Sequence, residues 1–143
     1  MKRIRSEKGA ALIEAAITVP IILLISVGIF EFGRAYQTQQ VLVNASREGA
    51  RLAVIDGTTD DQVRARVNDY LTGGGLKTLT ADKIVINRNA AVTGTTISGS
   101  TVEVQYPFEF MVLNPVVKLI APTDSTTGAP ITIKAATLMR NEG

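Results

Sequence analysis

The stretch GAALIEAAITVPIILLISVGIF, residues 9–30, decides how the rest of the chain is read. From Ala10 to Phe30 it runs 21 residues with Glu14 as its one charge, close to the roughly 20 apolar residues a helix needs to cross a bilayer. Pro20 lies inside the run. It lacks an N–H and crowds the carbonyl of Ala16, which predicts a kink or local loosening there. Glu14 is chemically out of place. A charge at the centre of a membrane helix costs about 2.5–3.5 kcal/mol, less near an interface, so a carboxylate there ordinarily has a partner. Cutting the chain after Gly9 supplies one, because the new amine of Ala10 stands one helical turn from Glu14. Left uncut, Glu14 snorkels toward the membrane surface as an isolated charge, and Gly9 is a loose joint ahead of a helix.

Charge is unevenly placed around this run. Lys2, Arg3, Arg5 and Lys8 against Glu7 give the first eight residues +3; the whole chain is +2, which leaves −1 for everything after the leader. The sequence pI of about 9.1 is therefore an orientation signal and not a nucleic-acid footprint. Lys and Arg flanking a first apolar helix stay on the cytoplasmic side, which puts the N-terminus inside and residues beyond Phe30 outside. The 143 residues suffice for one modest domain plus a membrane segment, and the 45% hydrophobic content is concentrated in the apolar run. The remainder is expected to have a small core. The absence of cysteine rules out disulfides and thiol chemistry, and the absence of histidine removes the commonest general base and metal ligand. With no Trp and few other aromatics, no stacking platform for nucleic acid is visible.

Beyond the run, Glu31 to Ile55 stays helical in pattern but becomes amphipathic, with Phe32, Tyr36, Leu42, Ala45, Gly49 and Ala53 on the apolar side. Asp56-Gly57 supplies a stop. The two stretches together predict one helix of about 45 residues, a rod of about 70 Å at 1.5 Å per residue. Thr58 to Leu71 reads as a second, shorter helix. Thr58 or Thr59 caps it, Asp60 and Asp61 occupy the first turn, and Val63, Val67, Tyr70 and Leu71 form one face. Gly73-Gly74-Gly75 ends it as a flexible connector. The period then changes to two. Lys83 to Asn87, Thr101 to Met111 and Ile131 to Leu138 read as strands, the second with Val102, Val104, Tyr106, Phe108 and Phe110 on one side. Thr93 to Thr101 and Thr123 to Gly128 read as turns. Asn114-Pro115 breaks the second strand ahead of a short helical turn at Val116 to Ile120. The expected fold class is α+β: a long N-terminal transmembrane-plus-amphipathic helix packed on a small, mainly antiparallel three-stranded sheet, with a second short helix. The segments are a basic leader (1–9), a transmembrane helix (10–30), its extracytoplasmic continuation (31–57) and an α+β head (58–143).

Gly9 with Glu14 five positions on, behind a basic leader, resembles the processing site of type IV prepilins, where cleavage follows a glycine and a glutamate stands at the fifth mature position. Glu31-Phe32-Gly33-Arg34 and Asn44-Ala45-Ser46-Arg47-Glu48-Gly49-Ala50-Arg51 resemble the TadE-like family, the minor pilins or pseudopilins of the tight-adherence (Tad, or Flp) type IVb pilus system. The resemblance covers the leader and residues 9–53. The closing Leu138-Met139-Arg140-Asn141-Glu142 is similar to the family's usual end more weakly, and the middle of the chain matches in pattern only. The resemblance implies a type IV pilin-like fold and processing between Gly9 and Ala10 by a prepilin peptidase. It also implies single-pass anchoring in the bacterial inner membrane, and assembly with other Tad pilins or pseudopilins and the pilus assembly platform, in adhesion or secretion. Glu14 is implied in charge pairing during assembly. Glu31, Gly33, Arg34, Asn44, Ala45, Arg47, Glu48, Gly49, Ala50 and Arg51 are the family-motif residues. Ala15 stands where the major Tad pilins carry tyrosine, which argues for a minor component. Ala10 stands in place of phenylalanine, so N-methylation is not implied.

Two other readings of the N-terminus stay open. An uncleaved single-pass anchor would make the chain a permanent scaffold of the Tad export machine. A secretory signal peptide, with Ser26-Val27-Gly28 as a small-x-small site, would make it a secreted binding module. The small residues Ala45, Gly49 and Ala53, four apart, make a smooth stripe that packs either on the chain's own strands or on a neighbouring subunit. Arg47 and Arg51, also four apart, read as a solvated basic edge or as partners for acidic groups of a neighbour, with Glu48 placed ideally for neither. No catalytic constellation is present. Gly73-Gly74-Gly75 lacks the Gly-Lys-Ser/Thr ending of a phosphate loop, and no carboxylates cluster at metal-ligand spacing. No enzyme activity, cofactor, metal, nucleic acid or small-molecule substrate is expected.

Overall fold

The computed structural model describes residues 3–91, 98–120 and 130–141. The turn residues 92–97 and 123–128 and the terminal Glu142 of the sequence reading lie outside them. Helix α1 runs from Arg3 to Ala53 without interruption, passing through both Gly9 and Pro20. It is followed by α2 (Asp60–Gly73), β1 (Ile84–Ala91), β2 (Ser98–Phe108), α3 (Leu113–Ile120) and β3 (Ile131–Arg140). The chain is α+β, with a wholly antiparallel sheet of order β1-β2-β3. Strand β2 is central. It pairs Ile84 with Val104 on one side and Val104 with Ala135 on the other. A register shift interrupts the β1–β2 ladder between Asn87 and Ala90.

The chain divides into two compact units. The first holds α1 up to Arg34 together with the segment from Phe110 through α3. Apart from half-buried Val27, the large apolar side chains of the 10–30 run are exposed, from Val19 and Phe30 at 52% to Leu12 and Ile29 at 71%. A stretch of this kind has no stable place in water. Helix α1 is long and apolar enough to cross a membrane.

The second unit holds α1 from Ala35 onward, α2 and the sheet. Its core joins Leu42, Ala45, Ala50 and Ala53 of α1, Val63, Val67 and Leu71 of α2, and Ile84, Val102, Val104 and Ala135 of the sheet. Helix α2 starts where its chemistry dictates. The Thr59 hydroxyl accepts from the Gln62 amide while the Gln62 side chain accepts from the Thr59 amide, a reciprocal capping box that begins the helix at Asp60. Tyr70, expected on its buried face, is exposed, because the contacts with α1 and the sheet are filled by the i, i+4, i+8 row Val63, Val67 and Leu71. The three glycines that follow do more than connect. A Cβ on Gly74 would lie 2.5 Å from a Val41 methyl, and Gly75 takes a left-handed turn at φ +78°. Strand β2 stops at Phe108, earlier than the expected Met111, and Leu113 already belongs to α3.

Candidate functional site

The residues singled out by sequence fall in three places along α1. Gly9, Ala10 and Glu14 share one unbroken helix, with Ala10 and Glu14 exposed one turn apart. Gly9 is therefore no joint. A Cβ built there meets nothing within 4 Å, so a side chain at this position would have room.

Glu31 and Arg34 form the second place. Glu31 is fully buried although its neighbours Phe30 and Phe32 are 52% and 70% exposed. Its Oε2 accepts from Arg34 Nη1 at 2.9 Å, one helical turn on. Its Oε1 accepts from the backbone amide of Val112, the residue just ahead of α3. The first amides of a helix lack internal partners and carry the positive end of its dipole, so a carboxylate from a distant part of the sequence serves α3 as its cap. The cost of burying Glu31 is offset by this pairing from both sides. Gly33 has open space around its Cα.

The third place spans Asn44 to Arg51. Ala45, Gly49 and Ala50 are buried, and Asn44, Arg47 and Arg51 are exposed. The small-residue stripe packs within the chain: a Cβ on Gly49 would stand 2.6 Å from Val67 Cγ2 and 3.1 Å from Val102 Cγ1. Glycine is there because α1, α2 and β2 meet too closely for any side chain. Glu48 does reach Arg51, at 3.1 Å, and also Arg66 of α2, at 3.3 Å. The hydrogen bond from Arg51 holds the Glu48 carboxyl below the usual carboxylate range against the cost of partial burial, and Arg66 adds to it. Arg51 thus has an acidic partner inside its own chain, although sequence spacing placed Glu48 badly for it.

Several structural anchors escaped the sequence reading. Arg88 on β1 donates to the Ala53 carbonyl at 2.8 Å, the Thr58 carbonyl at 2.8 Å and Asp60 Oδ1 at 2.9 Å. One guanidinium thereby closes the C-terminus of α1 and fixes the turn into α2. Asn68 donates to the Leu79 carbonyl and accepts from the Leu79 amide, as a neighbouring strand would. Asn141 accepts from Ser100 and donates to the Arg88 carbonyl, joining the chain's last described residue to β1 and β2. Buried Ser46 bonds the Val43 carbonyl and Thr137 Oγ1 of β3. None of these carries a local signal, since each partner is distant in sequence or is a backbone atom.

The described residues define the class: an α+β chain whose N-terminal helix is long and apolar enough to cross a membrane. Residues 9–51 match the family model of TadE-like proteins, which bears out the resemblance read from Gly9 to Arg51. No curated protein and no solved structure matches the chain.

Proposed function

We propose that the chain is a minor pilin or pseudopilin of the Tad (Flp) pilus system. In this reading α1 holds it in the inner membrane, with the leader in the cytoplasm and the second unit outside. A prepilin peptidase removes residues 1–9, and the processed chain is built into, or starts, a filament with other Tad pilins at the assembly platform. The role is structural, with no catalytic step. The observation that carries this is the TadE-like match, which begins at Gly9 and takes in Glu14 and both motif segments of α1. The exposed apolar side chains between Ala10 and Phe30 support a lipid environment for that part of the helix.

The mature N-terminus tests the reading. Intact mass of the protein made with and without a prepilin peptidase should differ by residues 1–9. An unchanged mass replaces this reading with the uncleaved scaffold, and a new N-terminus near Ile29 replaces it with the secreted module.

A further inference from the structure

Glu31 does something that neither the family match nor the pilin reading assigns. It ties the start of α3 to the position on α1 where the apolar run ends. Residues 110–120 read Phe-Met-Val-Leu-Asn-Pro-Val-Val-Lys-Leu-Ile, eight apolar side chains, one proline, one asparagine and one cation. Leu113, Val116, Val117 and Ile120 stand at i, i+3, i+4 and i+7, the spacing of a single apolar stripe, with Lys118 outside it. Met111 is 62% exposed in the same unit. The hydrogen bond from Val112 to Glu31 fixes the depth of this segment at one residue, about 1.5 Å of helix rise, past Phe30.

We propose that residues 110–120 form a membrane-interface foot: the segment lies in the headgroup layer beside the exit of α1, with exposed Met111 at the acyl boundary and exposed Lys118 toward lipid phosphates. Three observations carry it. The segment is continuous with the lipid-exposed surface of α1, where Ile29, Phe30 and Phe32 are all more than half exposed. Its composition is that of a helix lying in an interface, an apolar stripe with a cation off it. The buried Glu31, paired with Arg34 and the Val112 amide, gives the anchoring point a satisfied charge at a depth where an unpaired one is costly. The partner is a lipid surface. The inference rests on the reading that residues 10–30 cross a membrane.

The chain has no cysteine, so a single introduced one carries a fluorophore without competition. The full chain is reconstituted in phosphatidylethanolamine–phosphatidylglycerol vesicles with the label at Met111→Cys or Leu23→Cys, and quenched by nitroxide lipids of shallow or deep label, or by aqueous iodide. Leu23→Cys should be quenched by the deep nitroxide. Met111→Cys should lose most of its emission to the shallow nitroxide and be shielded from iodide. Glu31→Ala on the Met111→Cys background should reverse that pattern. Deep quenching at Leu23 with iodide quenching and no lipid quenching at Met111 overturns the foot while leaving the membrane span standing. Loss of lipid quenching at Leu23 as well overturns the span itself. Shielding of Met111 that rises with protein density and not with lipid contact assigns the segment to a second copy of the chain and overturns the lipid assignment. An unchanged Met111 pattern in Glu31→Ala overturns Glu31 as the tether.

Discussion

Gly49→Ala separates close packing from helix propensity. In a helix interior this substitution alone favours the helix by about 1 kcal/mol. At Gly49 the added carbon meets Val67 Cγ2 at 2.6 Å and Val102 Cγ1 at 3.1 Å, where ordinary contact begins near 3.4 Å. Neither neighbour yields easily: both valines are fully buried, Val67 on its helix has one strongly preferred rotamer, and Val102 on its strand is β-branched and restricted at χ1 too. Overpacking a filled core costs about 1–3 kcal/mol, and a displacement of this size belongs in the upper half of that range. The net expectation is a loss of about 1–2 kcal/mol, or roughly 0.5–1 M in the urea midpoint for a small domain. The assay is urea denaturation, followed by circular dichroism, of a fragment from Glu31 to Gly143, which should unfold in one cooperative transition. Gly73→Ala is the control: no described atom lies within 4 Å of the added carbon, and it should be neutral or slightly stabilising. Val67→Ala opens the space, so the double variant with Gly49→Ala should be less destabilised than the two singles summed, by about 1 kcal/mol or more. A Gly49→Ala fragment as stable as the parent would refute the argument that three elements converge on this glycine.

The remaining predictions concern polar anchors. Arg88→Met should lower the stability of the same fragment by about 2–3 kcal/mol, since it strands the Ala53 and Thr58 carbonyls, and Arg88→Lys should rescue little because one ammonium cannot replace the fork. Full rescue by lysine in the urea titration would contradict the fork geometry. The lowered pKa of Glu48 contributes stability that is present above the unfolded value, about 4.3, and is lost as pH falls through the folded one. Glu48→Gln should therefore flatten the dependence of the urea midpoint on pH below about 5, and an unchanged slope would show that the Arg51 and Arg66 contacts are not formed in solution. Glu14→Ala should leave membrane fractionation unchanged, because removing a charge from an apolar helix eases insertion, while piliation falls. Normal piliation would remove Glu14 from assembly.

Much of the architecture was legible because it rests on periodicity. The change from a 3.6-residue to a two-residue period after Gly75 located the sheet, and the Val102–Val104 alternation correctly marked the face that closes the core. Where the reading of α1 failed, polar burial was the cause. Its apolar pattern placed Phe32 and Tyr36 on the inner face, yet they are 70% and 67% exposed. The buried positions are Glu31, Thr38, Leu42, Ala45, Ser46, Gly49, Ala50 and Ala53. Three of these carry polar side chains, which a hydropathy pattern counts as outward-facing. At Glu31 and Ser46 distant partners make burial tolerable, namely Val112 for the one and Thr137 for the other. The motif around Asn44 to Arg51 was visible as a string of residues, but its division into a buried small-residue row and an exposed basic edge depended on where α2 and β2 lie. Arg88 and Asn68 were unreadable for the same reason, as their partners are mostly main-chain atoms that no sequence pattern advertises.

The pairing of Ser46 with Thr137, and of Gln39 with the Lys134 carbonyl, sets an order of events during synthesis. These contacts join residues separated by 91 and 95 positions, so the second half of α1 closes against a strand made long after it. Contacts this remote in sequence slow folding, because a long loop must close before they repay its entropy. Helix formation itself takes about a microsecond or less, so α1 is wound long before β3 exists to cover it. A nascent chain arrested before Ile131 would lack Ala135 of the core and leave Ser46 without Thr137. Completion of β3 is thus the event that closes these two contacts on α1.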